Sequence, residues 1–158
     1  MEEPLVKIHY WLYPVSWIYG MGVYLRNKLF DWGYYQSKSF DVPVVCVGNL
    51  AVGGTGKTPH TEYLIKLLQQ TGANVAMLSR GYKRKSKGYV LATEKTDVKR
   101  IGDEPYQIKI KFPGIRVAVD ENRCHGIEQL MKLDNPKVDV VLLDDAYQHR
   151  HVKAGLNI

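Results

Sequence analysis

Cysteine is scarce in this chain: Cys46 and Cys124 are the only two in 158 residues, one in a strand-like run and one in a helix-like run. That excludes a disulfide-stapled scaffold, and neither they nor His125, His149 and His151 stand at a metal-ligand spacing, so a reducing compartment is the default. There is no internal repeat and no low-complexity tract. A basic n-region is missing too, since Glu2 and Glu3 come first, so no cleavable secretory signal is expected. The most local absence is charge. Residues 8–25 contain no Asp, Glu, Lys or Arg. The stretch is borderline in length for a spanning helix, but Tyr10, Trp11, Tyr13, Trp17, Tyr19 and Tyr24 prefer a bilayer interface to its centre. Pro14, Gly20 and Gly22 weaken a long straight helix, and Arg26, Lys28 and Lys38 follow where anionic headgroups would lie. Residues 1–40 therefore read as an interfacial, monotopic membrane region. A helix packed on the domain's own core and a true span are the alternatives.

What is present is ordinary for one globular domain: 45% hydrophobic and 24% charged residues. The formal net charge of +6 points to an acidic partner, whether nucleic acid, anionic lipid or a phosphorylated substrate. No recognised nucleic-acid module appears, so nucleic acid is not expected among the partners.

Ala51-Val52-Gly53-Gly54-Thr55-Gly56-Lys57-Thr58 carries the chemistry. It fits the P-loop pattern with Ala51 in place of the first glycine. A strand over 43–48 precedes it and a helix from about Lys57 to Thr71 follows, with Gly72 at its C-terminal end. In such a loop the glycines turn backbone N–H groups around phosphate oxygens, Lys57 reaches the β- and γ-phosphates, Thr58 ligates Mg²⁺ and the helix N-terminus adds positive potential. A glycine turn that binds nothing is the bland alternative.

Further strands are expected over 74–79, 115–119 and 138–143, with a short extra one over 88–93. Helices are expected from Gly102 to about Lys111 and from Asn122 to Leu133. Strands alternating with helices over 41–158 predict an α/β, P-loop NTPase-type mostly parallel sheet with helices on both faces. Ligands bind such sheets at the carboxyl ends of the strands. The strand ending in Asp144-Asp145 has the form of one that holds Mg²⁺ near Thr58, though many strands end in Asp simply as a turn initiator. Asp103 before Glu104-Pro105 reads from spacing alone as a helix N-cap. Arg80 is a candidate phosphate clamp or a loop charge. Lys83, Arg84, Lys85 and Lys87 form a solvated basic face or a lipid or phosphate contact.

Val47-Gly48-Asn49-Leu50 joined to the P-loop and Pro59, then Ser79-Arg80-Gly81-Tyr82, Gly102-Asp103-Glu104-Pro105 and Asp144-Asp145-Ala146-Tyr147-Gln148-His149-Arg150, resemble in order and spacing the tetraacyldisaccharide 4′-kinase (lipid A 4′-kinase) family. The resemblance covers essentially the whole chain. It implies transfer of the ATP γ-phosphoryl group, with Mg²⁺, to the 4′-hydroxyl of an acylated glucosamine disaccharide 1-phosphate, giving lipid IVA. It implies catalytic roles for Asp103 as general base, Lys57, and Arg123 as a phosphate-charge residue. It places Glu104 with Thr58, Asp144 and Asp145 near the metal, leaving open which aspartate is the direct ligand. It also implies an anionic membrane surface as partner, at the cytoplasmic face of a bacterial inner membrane. Ala146-Tyr147 departs from the family's usual Gly-Phe. Family members continue well beyond Ile158, so the second lobe is expected to be missing, the final 155–158 segment to be an unpaired strand with an exposed edge, and the isolated chain to lack turnover. A membrane-associated P-loop ATPase that switches partners is disfavoured by Val52, which stands where that class carries lysine. A nucleotide-gated lipid-binding module is the remaining alternative.

Overall fold

In the computed structural model, residues 11, 13–48, 57–144 and 151–158 are described. The chain divides into two compact units, Met1–Gln36 and Ser37–Ile158.

In the first unit, helix α1 spans Tyr13–Asp31. Pro14 stands in the first turn, where a missing N–H costs nothing, and Gly20 and Gly22 are carried inside the helix without breaking it. Among its residues only Phe30 is buried. Trp17 is 76% exposed, and Tyr19, Met21, Tyr24 and Leu25 are exposed with it. Tyr13, Trp17, Met21 and Tyr24 line an open groove beside Gly20. No helix among the described residues is long and apolar enough to cross a membrane.

The second unit is a six-stranded sheet: β1 (Val44–Val47), β2 (Val75–Ser79), β3 (Val90–Leu91), β4 (Arg116–Val119), β5 (Val140–Asp144) and β6 (Leu156–Asn157). The order is β3-β4-β2-β5-β1-β6. All neighbours are parallel except β3, which pairs antiparallel with β4 at one edge. The helices are α2 (Lys57–Gln70), α3 (Val98–Ile101), α4 (Asp103–Lys111) and α5 (Arg123–Met131).

Strand alternation sorts the core onto two faces. Val75, Met77, Val140 and Leu142 pack with Ile65 of α2 and Ile108 of α4. Ala76, Leu78, Val141 and Leu143 pack with Ile127 and Leu130 of α5. Burial on both faces is why β2 and β5 are apolar at nearly every position, as parallel strands are.

Three expectations change. The final segment is not unpaired: Leu156 and Asn157 pair with Val45 and Cys46, and both are exposed at the edge of the sheet. Asp103 is not the cap of α4. Gly102 holds that position with φ 92° and no side-chain cap, and Asp103 is the first helical residue, its negative charge suited to the helix's positive end. Arg84 does not belong to the solvated basic face. Its side chain is 3% exposed and pairs with Glu121 at 2.6 Å.

Candidate functional site

The described parts of the motifs lie at the carboxyl edge of the sheet. Register places Val47, the last residue of β1, beside Asp144, the last residue of β5. The P-loop sequence begins just after Val47, and α2 begins at Lys57, so the buried carboxylate-bearing strand lies next to the strand that feeds the loop. Thr58 is half-buried in the first turn of α2. Ala51, Val52, Gly53, Gly54, Thr55, Gly56 and Asp145 lie outside the described residues, as does the side chain of Lys57.

The Ser-Arg-Gly-Tyr and Gly-Asp-Glu-Pro motifs meet through two glycines. Gly81 and Gly102 both have positive φ, 70° and 92°. A Cβ on Gly102 would sit 2.8 Å from the Tyr82 carbonyl oxygen, and one on Gly81 would sit 2.9 Å from that of Ile101. Only glycine permits both the conformation and the approach. The contact ties the loop after β2 to the start of α4, so exposed Asp103 and Glu104 are held on a fixed support rather than on a free loop. Arg80, which follows β2, is exposed at the same edge.

Arg123 opens α5, and its guanidinium is turned inward, leaving the residue 4% exposed. Nη1 donates to the Asp120 carbonyl oxygen at 2.6 Å and Nη2 to that of Asp144 at 3.4 Å. Because β2 lies between β4 and β5, this one side chain reaches across three strand ends. A buried guanidinium held on carbonyl oxygens keeps its full charge, which is useful where phosphate charge must be neutralised.

Asp120, one residue beyond β4, is 2% exposed and was not singled out by sequence. Its Oδ1 accepts the Asn122 N–H at 2.9 Å, and its Oδ2 lies 2.7 Å from His125 Nδ1. The signal was available: an aspartate at a strand end, as at Asp144, here followed by the Asn122 N-cap of α5. Nearby, burial pushes the Tyr89 hydroxyl up to about 12, with the Asp120 charge adding and Arg116 opposing. Burial would raise Glu121, but hydrogen bonds from backbone N–H groups and from Arg84, with the Arg84 charge, hold it below the usual carboxylate range.

The fold is that of a P-loop NTPase-type α/β domain, with β1, β2, β4 and β5 ending at one edge of its sheet. The sequence model of the family described as LpxK, tetraacyldisaccharide-1-P 4′-kinase, matches residues 8–158, and the chain belongs to that family. It is 70% identical over its whole length to the tetraacyldisaccharide 4′-kinase of Bacteroides fragilis strain YCH46, of which it covers 42%. It is 68% identical over its whole length to that of Bacteroides thetaiotaomicron, covering 41%. The solved "apo" form LpxK from Aquifex aeolicus in complex with ATP superposes with a TM-score of 0.83 at 42% identity, over 92% of this chain and 46% of that one. The chain thus spans less than half the length of the curated relatives it matches.

Proposed function

We propose that this chain supplies the nucleotide side of an ATP-dependent kinase that phosphorylates the 4′-hydroxyl of a tetraacylated glucosamine disaccharide 1-phosphate, giving lipid IVA. The observation that carries the reading is the register of Val47 against Asp144, which sets a buried carboxylate beside the strand that feeds the P-loop, with the Arg123 guanidinium reaching the same edge.

In this reading residues 51–58 wrap the triphosphate, with Lys57 on its β- and γ-oxygens. Buried Asp144, half-buried Thr58, Asp145 and Glu104 are hard oxygen donors of the kind Mg²⁺ takes. When bound, the ion neutralises charge on the β- and γ-phosphates. Asp103 accepts the proton of the 4′-hydroxyl as its oxygen bonds to the γ-phosphorus, and the bond from that phosphorus to the bridging oxygen breaks to release ADP. Arg123 meets charge developing on the transferred group. Helix α1, with its exposed Trp and Tyr side chains, lies in an anionic membrane surface on the cytoplasmic side of the inner membrane, where an acylated acceptor is found.

Lys57→Ala should weaken Mg·ATP binding at least roughly tenfold by calorimetry, since a charged hydrogen bond is lost. Equal affinity in mutant and parent refutes the assignment. In the full-length gene product, Asp103→Asn should lower kcat by about 10²–10⁴-fold. The melting temperature should hardly move, because Gly102 rather than Asp103 caps α4. A loss of stability without a loss of turnover per folded molecule would exclude Asp103 as the base.

A further inference from the structure

We infer that Asp120 is a positioning residue that sets the Arg123 guanidinium for phosphoryl transfer, an inference that rests on the proposed role of Arg123.

The main chain and the side chain of Asp120 both bear on the start of α5. Its carbonyl oxygen accepts Arg123 Nη1 at 2.6 Å, shorter than the 3.4 Å contact of Nη2 with Asp144. The direction of that carbonyl depends on the turn from β4 into α5, and the Asp120 carboxylate fixes the turn from two sides. Oδ1 takes the Asn122 N–H at 2.9 Å, and Oδ2 lies 2.7 Å from His125 Nδ1, one turn into the helix. Asn122 in turn caps α5 by accepting the His125 N–H at 3.2 Å. The main chain is anchored as well, since the Asp120 N–H donates to the Ser79 carbonyl of β2 at 3.0 Å.

A buried carboxylate is costly unless its oxygens are matched, and here both are spent on one turn whose product is a single aimed carbonyl. Arginine has several rotatable bonds, so a guanidinium held at this edge before nucleotide arrives avoids an ordering cost at the moment of reaction. His125 has one ring nitrogen on Asp120 and the other 3.1 Å from Gln129 Nε2, so it acts as a brace between carboxylate and helix. Asp120 therefore acts through Arg123 and touches no reacting atom.

The test is a double-mutant cycle in the full-length gene product, with kcat and the Mg·ATP Kd measured separately. Asp120→Ala should lower kcat roughly 10–100-fold while leaving Kd within about threefold, because transition-state positioning rather than ground-state binding is lost. In an Arg123→Ala background the same change should cost less than about threefold, since nothing remains to be positioned. Asp120→Asn, which keeps an acceptor for the Asn122 N–H, should recover part of the loss, and it carries the cycle if the alanine variant does not fold. Fully additive losses, an unchanged kcat per folded molecule in Asp120→Ala, or an Arg123→Ala variant with parental kcat would each overturn the inference. If the parent protein shows no kinase turnover, it is the proposed function that fails. The positioning claim is then decided without nucleotide by ¹⁵N-edited NMR of the arginine side chains. The Arg123 Nε–Hε signal should be sharp in the parent and broadened by Asp120→Ala, and an unchanged signal refutes the claim.

Discussion

Helix α1 and strand β5 both carry several large apolar side chains, and they place them in opposite surroundings. In α1, Trp17, Ile18, Tyr19, Met21 and Tyr24 face solvent, and Phe30 alone is buried. In β5, all five residues are buried, including Asp144. The type of residue accounts for the contrast. Val and Leu fit a pleated surface covered on both faces, whereas Trp and Tyr combine an apolar body with a polar handle and are at home where hydrocarbon meets water. The large exposed apolar surface on this 19-residue helix supports the proposed membrane surface.

If this contrast is correct, core and helix substitutions should separate cleanly. The largest effect should come from Leu142→Ala, at a fully buried position between α2 and α4. It should cost about 2–5 kcal/mol in denaturant unfolding, and a smaller loss would mean the site collapses around the cavity. Arg84→Ala removes a buried guanidinium from Glu121, Ser86 and Gly88 and should cost about 1–3 kcal/mol, read from the same experiment. Trp17→Ala should behave in the opposite sense. Stability should stay within about 0.5 kcal/mol, while partition into anionic vesicles falls roughly tenfold. Unaltered vesicle binding would remove α1 from the proposed membrane surface, and termini found on opposite sides of a bilayer would show a span.

The smallest effect concerns pH. Glu121 is held below its ordinary value of 4.5 in the folded chain, so the unfolded chain binds the proton first as pH falls. Its contribution to stability is present above pH 4.5 and is lost as pH drops through the lower folded value. Because the Glu121 side chain is partly exposed, that contribution should be under about 1 kcal/mol. Glu121→Gln should flatten the acid limb of a stability–pH curve slightly, and an identical limb would show that Glu121 is not held below its ordinary value in the folded chain.

Much of this protein could be read from residues alone. Buried-strand runs such as Val75–Ser79 and Val140–Asp144 stand out because a parallel strand covered on both faces needs apolar side chains at nearly every position. The P-loop is legible because phosphate binding restricts both residue type and spacing, whereas Gly-Asp-Glu-Pro reads from spacing as a helix start and takes a catalytic role only from the family resemblance. Three-dimensional placement decided the rest. Local preference favours Asp at an N-cap, yet the approach of Tyr82 to Gly102 gives the cap to glycine and leaves Asp103 exposed on the helix. Arg84 lies in a run of lysines and looks solvated, but Glu121, 37 positions along the chain, draws it inside. Asp120 carries no motif and gains its place only because β4, β2 and β5 end side by side beneath the first turn of α5. Sequence by itself marked which residues are candidates to bind phosphate, because candidacy depends on side-chain chemistry and local turns. Tertiary structure decided which buried groups hold them in place, because that depends on contacts between strands far apart in the chain.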